Sequence, residues 1–143
     1  MLREQLIRLL ERVDGEFETP LSQRLDIAAY VDKMMAHAAL FPMLDAGRLA
    51  GFVAMYCNDP ASRTAYITMV AVDPASRATG LGSGLVRTAI AHARRIGCEK
   101  VALEVYKSNL NAFRLYTKLG FGVARETAGS AFLELPLQAG AGA

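Results

Sequence analysis

Metal ligands and reactive thiols are scarce in this sequence of 143 residues. It has two cysteines and two histidines, and neither a Cys-x-x-Cys nor a His-Glu-x-x-His spacing occurs. Zinc sites are built from such clusters, so we expect no metal site. Cys57 and Cys98 both lie in apolar contexts, which predicts two buried free thiols and a reducing cytoplasm as their compartment.

Long apolar runs are also missing. The longest, such as Leu49–Cys57, are far shorter than the roughly 20 residues that cross a bilayer. Residues 1–16 interleave charges with leucines, unlike the continuous apolar region of a secretory signal. We therefore expect no membrane partner, no export signal and a cytoplasmic location.

Positive charge is modest overall, at a net +2, but it is unevenly distributed. Residues 1–71 hold seven Lys/Arg and nine Asp/Glu, whereas residues 72–143 hold nine and five. The second half therefore suggests an anionic ligand. Its basic residues do not form the dense clusters, interleaved with aromatics, that are typical of nucleic-acid binders, so we expect no nucleic-acid partner.

Hydrophobic periodicity and turn signals predict the element order α-α-β-β-β-α-β-α-β-β, with residues 15–24 as a loop. The predicted helices are 2–13, 27–38, 82–96 and 109–119, and the strands are 40–45, 48–57, 64–72, 100–106, 121–127 and 131–137. Strand, helix and strand over 64–106 form a parallel crossover between antiparallel hairpins. We predict one α/β (α+β) domain over residues 1–143, with a mixed, mostly antiparallel sheet, helices on both faces and a disordered tail at 138–143. Pro42 fits only an edge strand or a bulge.

Three alternating glycines stand where the third long helix begins, in SRATGLGSGL at residues 76–85. Glycines at a helix N-terminus let an anion approach the unpaired N–H groups. A Walker loop needs a Gly-Lys pair, which is absent, and a dinucleotide loop needs a glycine where Leu85 stands. The pattern leaves a phosphate cradle of another kind or a tight turn without a ligand.

Two longer blocks, VAVDPASRATGLGSGL and LEVYKSNLNAFRLYTKLGF, resemble the GNAT (Gcn5-related) N-acetyltransferases. The first block contains the family's [Arg/Gln]-x-x-Gly-x-[Gly/Ala] pattern as Arg77, Gly80 and Gly82. The second has the family's Asn, the Ala three residues on, the Leu-Tyr pair and the Gly-Phe pair. Ala78 departs from relatives, which often carry a basic residue there, and so implies a weaker grip on phosphate.

The resemblance implies acetyl-CoA as co-substrate. Main-chain N–H groups of the glycine loop would hold its diphosphate, a strand edge would bind the pantetheine arm, and the two central strands would splay to make the slot. The implied coenzyme residues are Arg77, Ala78, Thr79, Gly80, Leu81, Gly82 and Ser83 in the loop, Val70, Ala71 and Val72 in the strand, and Asn109. Asn109 is equally suited to capping the following helix.

By the same resemblance Tyr116 is the proton donor to the leaving thiolate, although it also falls on the apolar stripe of its helix. Glu104 is the candidate base. Strand alternation separates it from Leu103 and Val105, and we expect the opening between the splayed strands to enclose it. The alternative is a Glu paired with Arg or Lys on a partly exposed strand. Cys98 lies at a turn, a poor place for a nucleophile, which favours direct transfer, with a strand N–H as oxyanion donor.

The sequence therefore predicts an acetyl-CoA-dependent N-acyltransferase acting on a primary amine, with a small molecule favoured as acceptor. The alternatives are a protein N-terminus, as in the ribosomal-protein branch that the "LEV" at residues 103–105 resembles, and a non-catalytic acyl-CoA sensor. The resemblance also suggests a homodimer through the final strands. On the acceptor side, Tyr56, Asn58 and Asp59 are candidates, and Arg24 either binds an acidic group or is solvated.

Overall fold

The fold is seen in a computed structural model that describes residues 2–17, 20–57, 61–77 and 80–137. The helices are α1 (Leu2–Val13), α2 (Leu21–Arg24), α3 (Ile27–His37), α4 (Leu81–Arg95) and α5 (Leu110–Lys118). The strands are β1 (Ala39–Asp45), β2 (Arg48–Tyr56), β3 (Thr64–Val72), β4 (Lys100–Tyr106), β5 (Gly122–Glu126) and β6 (Ser130–Pro136). The predicted order is confirmed, except that α2 and a 3₁₀ turn at Asp14–Glu16 occupy the predicted loop. The predicted tail at 138–143 lies outside the described residues.

Local sequence signals explain where the helices begin. The Asp26 carboxylate accepts from the Ala29 N–H at 3.1 Å at the start of α3, and the Asn109 side-chain oxygen accepts from the Ala112 N–H at 3.2 Å at the start of α5. Both are N-caps that satisfy an otherwise unpaired donor. The start of α4 has no side-chain cap, and its first flanking residue is Gly80, at φ +76°.

In the described residues, six strands form one sheet in the order β1-β2-β3-β4-β6-β5. The β3–β4 pair is parallel and the other four pairs are antiparallel, so the predicted mixed sheet is confirmed. Pro42 lies on the edge strand β1, one residue before a register shift at Met43/Leu44. An edge strand tolerates proline because its outward N–H has no partner to lose.

The two parallel strands separate soon after they meet. Pairing of β3 with β4 is limited to Thr64–Lys100, Ala65–Val101 and Tyr66–Ala102, although both strands continue well beyond these residues. The splayed pair expected from the resemblance is therefore confirmed.

A β-bulge in β3 reverses which side chains face each layer of helices. Ala54 of β2 pairs with Met69 and Met55 pairs with Ile67, which leaves Thr68 as an extra residue on β3. Before the bulge Ile67 packs in the core under α4, and after it Met69 packs in the opposite core under α1 and α3. An inserted residue shifts the two-residue period by one, which flips the faces.

The helices cover the two faces of the sheet unequally. On one face α4 packs against β1–β4 and α5 against β4. On the other face α1 packs against β2 and β3, and α3 packs against β1. That second face of β4 therefore carries half-buried and exposed residues, with Glu104 among the exposed ones. Helices on both faces are confirmed.

The cysteines and the helices bear on two further expectations. Cys98 is buried as predicted, whereas Cys57 is only half-buried because it follows the end of β2. Burial, with a smaller effect of Cys98 nearby, raises the pKa of the Cys57 thiol to about 11. Across the described ranges no helix has the length and apolar character needed to span a bilayer.

Candidate active site

Two adjoining cavities lie where β3 and β4 separate. One, of about 350 Å³, is lined by Tyr116 and is here named the Tyr116 cavity; the other, of about 500 Å³, is lined by Ser108 and is named the Ser108 cavity. The residues that line both are Phe17, Val70, Val72, Arg77, Tyr106 and Asn109. Together they form one cleft, with a volume typical of a small-molecule site.

The first turn of α4 places main-chain donors beside this cleft. The Gly84 N–H donates to the Gly80 carbonyl at 3.1 Å. Within the described residues no acceptor is recorded for the N–H groups of Leu81, Gly82 and Ser83. Donors that point out of a helix N-terminus can bind an anion such as a diphosphate.

Gly82 lines the Tyr116 cavity. A Cβ at this position would lie 3.8 Å from side-chain carbons of both Val72 and Leu115. An alanine fits there, but any longer side chain would grow between these two residues and into the cleft.

Arg77 plays a different part from the one expected. Its N–H donates to the Pro74 carbonyl at 3.4 Å and closes a second 3₁₀ turn, at Pro74–Ser76, so the expectation that this amide belongs to the cradle is wrong. The guanidinium binds the Glu16 carboxylate at 2.5 Å and donates to the Val72 carbonyl at 3.3 Å. Arg77 thus joins the end of β3 to the segment after α1. Two further expected cradle residues, Ala78 and Thr79, lie outside the described residues.

The strand expected to bind the pantetheine arm presents one free edge. Val70, Ala71 and Val72 pair with Val53, Phe52 and Gly51 of β2 on one side. On the other side the ladder with β4 has ended at Tyr66. Unpaired strand edges bind extended ligands through main-chain hydrogen bonds, and this edge leads along the cleft.

Asn109 lines both cavities while its side-chain oxygen caps α5. The cap occupies the oxygen and leaves the two side-chain N–H donors available to a ligand. The two roles left open by the sequence are therefore compatible.

Tyr116 is at once a core residue and a cleft residue. It is 8% exposed, packs edge-on against Phe121 at 5.7 Å between ring centroids, and lines the Tyr116 cavity. Its hydroxyl has no recorded hydrogen bond to the described part of the protein. Burial raises the pKa of Tyr116 to about 12, so the hydroxyl keeps its proton at neutral pH.

Glu104 also lines the Tyr116 cavity, but it is exposed. The expectation that the opening encloses it is wrong, because α1 and α3 pack on β1–β3 and leave this face of β4 uncovered. Its carboxylate makes no recorded ion pair or hydrogen bond within the described ranges, so the expected alternative of a Glu paired with Arg or Lys is not seen either. Burial raises the pKa of nearby Tyr66, and the Glu104 charge adds to the rise.

Several cleft residues escaped the sequence analysis. Phe17 and Tyr106 line both cavities, while Tyr66 and Thr68 line the Tyr116 cavity. Tyr106 could have been found, because it lies two residues after Glu104 and therefore on the same face of β4. Thr68 could not, because the bulge that exposes it does not interrupt the apolar alternation of β3. Of the acceptor candidates, Tyr56 has a buried hydroxyl with no partner among the described residues, and Asn58 and Asp59 lie outside those residues.

Metal-binding side chains do not converge in the part of the chain that the structure describes. There, no group of three or more His, Cys, Asp or Glu residues is placed to hold a metal ion.

Comparison with known proteins identifies the family. The model of the acetyltransferase (GNAT) family matches residues 4–121. The mycothiol acetyltransferase of Thermobispora bispora is 46% identical over 55 residues, which are 38% of this chain and 19% of that protein. N-alpha-acetyltransferase 30 of Homo sapiens is 42% identical over 59 residues, 41% of this chain and 16% of that protein. The chain thus spans less than a fifth of the length of either relative.

Solved structures share the fold at lower identity. The ribosomal-protein-S18-alanine N-acetyltransferase from Escherichia coli has a TM-score of 0.79 and 22% identity, covering 94% of this chain and 87% of that chain. The paia N-acetyltransferase from Thermoplasma acidophilum, solved in complex with coenzyme A, has a TM-score of 0.72 and 16% identity, covering 94% of this chain and 92% of that chain.

Proposed function

The chain belongs to the acetyltransferase (GNAT) family, and from this premise we propose that it transfers the acetyl group of acetyl-CoA to a primary amine. The observation that carries the proposal is the position of the α4 N-terminus, whose Leu81–Ser83 N–H groups have no recorded acceptor among the described residues, at one end of a slot made by two splayed strands. A diphosphate and an extended thioester arm match that arrangement in charge and in shape.

In this proposal the coenzyme lies along β3. The N–H groups of Leu81, Gly82 and Ser83 bind the diphosphate, and the free edge of Val70–Val72 binds the pantetheine arm, as β-augmentation does with a peptide. Asn109 donates to the arm from its side-chain NH₂. A solved structure of the same fold is described as a complex with coenzyme A, which supports this choice of ligand.

The proposed reaction is a direct transfer. The neutral amine attacks the thioester carbon, the C–N bond forms, and the C–S bond then breaks to release coenzyme A. A strand N–H in Val70–Val72 stabilises the oxyanion. No acyl-enzyme is needed, since Cys98 is buried and absent from the residues that line the cleft.

Tyr116 stabilises the leaving sulfur in this scheme. A hydroxyl with a pKa of about 12 does not surrender its proton fully to a thiolate, whose conjugate acid has a pKa near 8.5. Its contribution is therefore a hydrogen bond to the developing thiolate in a desolvated site, where such a bond is strong. The proton that finally neutralises the thiolate is the one that the attacking nitrogen loses as the tetrahedral intermediate collapses.

Glu104 removes a different proton, the one that the ammonium form of the acceptor must lose before its nitrogen can attack. Its carboxylate lines the same cavity as Tyr116 and has no recorded partner among the described residues, so it is available to a cationic amine, directly or through a water. Its exposure gives the proton a path to solvent.

The test is thiol release from acetyl-CoA with a panel of amines, comparing the parent protein with Glu104→Gln. We expect amine-dependent release, reduced at least about a hundredfold at pH 7 in the variant, the low end of general-base effects. The difference in rate between variant and parent should shrink as the pH approaches the pKa of the free amine, because the amine is then largely neutral and needs no base. Glu99→Gln, another exposed Glu, is the matched control. Coenzyme binding without release for any amine would favour a non-catalytic sensor.

A protein N-terminus is the second candidate acceptor. Two proteins to which this chain is similar are described as an N-alpha-acetyltransferase and a ribosomal-protein-S18-alanine N-acetyltransferase. The uncovered face of β4 gives room for a peptide beside Glu104. Peptides with free N-termini therefore belong in the amine panel. The cytoplasmic location and the homodimer through the final strands stay predictions.

A further inference from the structure

The charged side chains that line the Tyr116 cavity are unequally satisfied. Among the described residues they are Arg24, Arg77 and Glu104. Arg77 is neutralised by Glu16 at 2.5 Å. Neither Arg24 nor Glu104 has a recorded hydrogen bond or ion pair in the described part of the chain. Among the described residues, the cavity therefore presents one cation and one anion with no recorded partner.

These two charges belong to opposite walls. Glu104 is on β4. Arg24 lines the cavity beside Thr68 of β3. The Thr68 side chain is hydrogen-bonded to the Tyr30 hydroxyl at 3.0 Å, and that hydroxyl also donates to the Thr68 carbonyl at 3.3 Å. Burial raises the pKa of Tyr30 and the Arg24 charge opposes this rise, which agrees with a position of Arg24 near Tyr30. A ligand between the walls would meet a cation at one end and a carboxylate at the other.

The segment that presents Arg24 is fixed. Leu21, one helical turn earlier, is 2% exposed and packs with the core under α1 and α3. The Ser22 N–H and hydroxyl donate to the Asp14 carboxylate at 3.0 and 2.6 Å. The main chain of α2 is therefore ordered before a ligand arrives, so that binding orders only the arginine side chain, which limits the entropic cost.

Arg24 lies near the reacting groups rather than along the whole coenzyme path. It lines the Tyr116 cavity together with Tyr116 and Glu104, and it is absent from the lining of the Ser108 cavity. This placement favours the acceptor as its ligand.

We propose that the acceptor is a primary amine that also carries a carboxylate, as a free amino acid does, and that Arg24 binds this carboxylate. The inference rests on the proposed function and adds the acceptor class to it. A guanidinium binds a carboxylate through two parallel hydrogen bonds, and the ammonium of the same molecule then meets Glu104. A polyamine has no anion for Arg24, and a protein N-terminus offers only neutral carbonyl oxygens near its amine.

The test compares amino acids with their primary amides, which differ only in the carboxylate. For glycine, alanine, leucine and glutamate, with the matching amides, the KM of the amine is measured by thiol release for the parent, Arg24→Gln and Arg24→Lys. For at least one pair we expect the acid to have a KM at least about tenfold lower than its amide. The difference should vanish in Arg24→Gln, return in part in Arg24→Lys, and persist in the control Arg8→Gln, which removes an exposed arginine outside the cleft.

Binding without reaction separates this inference from the proposed function. Calorimetry with each amino acid and amide, at saturating coenzyme A, measures acceptor binding alone. Binding of an acid that needs Arg24, with no amine acetylated, would sustain the carboxylate site and overturn the transfer reaction. Acetylation that ignores the carboxylate, or an acid–amide difference that survives in Arg24→Gln, would overturn the carboxylate site and leave the transferase. An absence of both binding and acetylation would overturn both.

Discussion

The two sides of the cleft are built from different kinds of groups. The proposed coenzyme side consists of main-chain donors and a strand edge within one continuous stretch of chain, Val70–Val72 with Leu81–Ser83. The proposed acceptor side consists of side chains from a loop, a short helix and two strands, namely Phe17, Arg24, Tyr66, Thr68 and Glu104. Main-chain groups bind any ligand of the right shape and charge. Side chains on separate elements can instead be substituted one at a time to suit a different acceptor.

Two ion pairs join the sides. Arg12 binds Asp73 at 3.2 Å and Glu16 binds Arg77 at 2.5 Å. Each pair connects the end of α1 and the 3₁₀ turn after it to the turns after β3. The two pairs therefore hold the segment before Phe17 against the segment that links β3 to α4. Variants at these positions should affect both ligands, whereas variants within one side should affect one.

The largest effect is expected from Gly82→Trp. A Cβ at this position already lies 3.8 Å from side-chain carbons of Val72 and Leu115, so the indole would fill the space between them. We expect the Kd of acetyl-CoA to rise more than about a hundredfold, since the ligand and side chain would occupy the same volume. Gly84→Ala, whose Cβ would have no neighbour within 4 Å, should bind normally. Tight binding by a folded Gly82→Trp protein, measured by calorimetry, would show that the cradle is elsewhere.

Tyr116→Phe should separate catalysis from binding. Loss of a hydrogen bond to the developing thiolate should lower kcat about tenfold to a hundredfold, while the Kd of acetyl-CoA stays unchanged because the ring remains. Steady-state kinetics and calorimetry on the same preparation give both values. An unaltered kcat under conditions where chemistry limits the rate would leave Tyr116 with a packing role alone.

The same variant makes a prediction for stability at high pH. Burial raises the pKa of Tyr116 to about 12, against about 10 in the unfolded chain. Folding therefore retains a proton that the unfolded state loses, so stability present below pH 10 falls as pH rises toward 12, by up to about 3 kcal/mol. Denaturant unfolding at pH 8 and pH 11 should show a smaller decline for Tyr116→Phe than for the parent. Equal declines would contradict the burial of the hydroxyl.

Asp73→Ala tests the first of the two ion pairs. Asp73 is 5% exposed, and its carboxylate binds Arg12 and accepts from the Ala75 N–H at 3.0 Å. Loss of this cap should cost about 1–2 kcal/mol of the free energy of unfolding and weaken both ligands a few-fold. Asp45→Ala, at the exposed end of β1, is the control for denaturant unfolding. Wild-type stability in Asp73→Ala would show that the contacts of Asp73 with Arg12 and the Ala75 N–H do not stabilise the fold.

The smallest effect is expected from Glu16→Gln. The Glu16–Arg77 pair is half exposed on both sides, so its loss should change stability by less than about 1 kcal/mol. Arg77, released from its carboxylate partner, would be available to the diphosphate, and the Kd of acetyl-CoA should fall by up to about fivefold. Calorimetry against Glu11→Gln, an exposed control on α1, measures the change. Weaker binding would mean that Glu16 instead holds Arg77 in its working position.

The coenzyme side could be predicted from sequence because its parts are neighbours along the chain. Arg77, Gly80 and Gly82 form a local pattern, and a strand–glycine–helix sequence is enough to place unpaired N–H groups at the start of α4. The sequence did not reveal that the Arg77 N–H is already used, since that bond depends on a 3₁₀ turn. The prediction that Glu104 is enclosed was wrong, because the alternation of residues shows which face of a strand a side chain is on but not what covers that face.

By itself, then, the sequence determined the order of helices and strands, the parallel crossover and the glycine-flanked start of α4, because periodicity, caps and glycines act over a few residues. Only the tertiary structure decided that Arg24, Glu104 and Tyr116 share one cavity and that Glu16 holds Arg77. These groups lie up to 92 positions apart, and they meet only because Thr68 shifts the phase of β3 and because β3 and β4 separate after three paired residues.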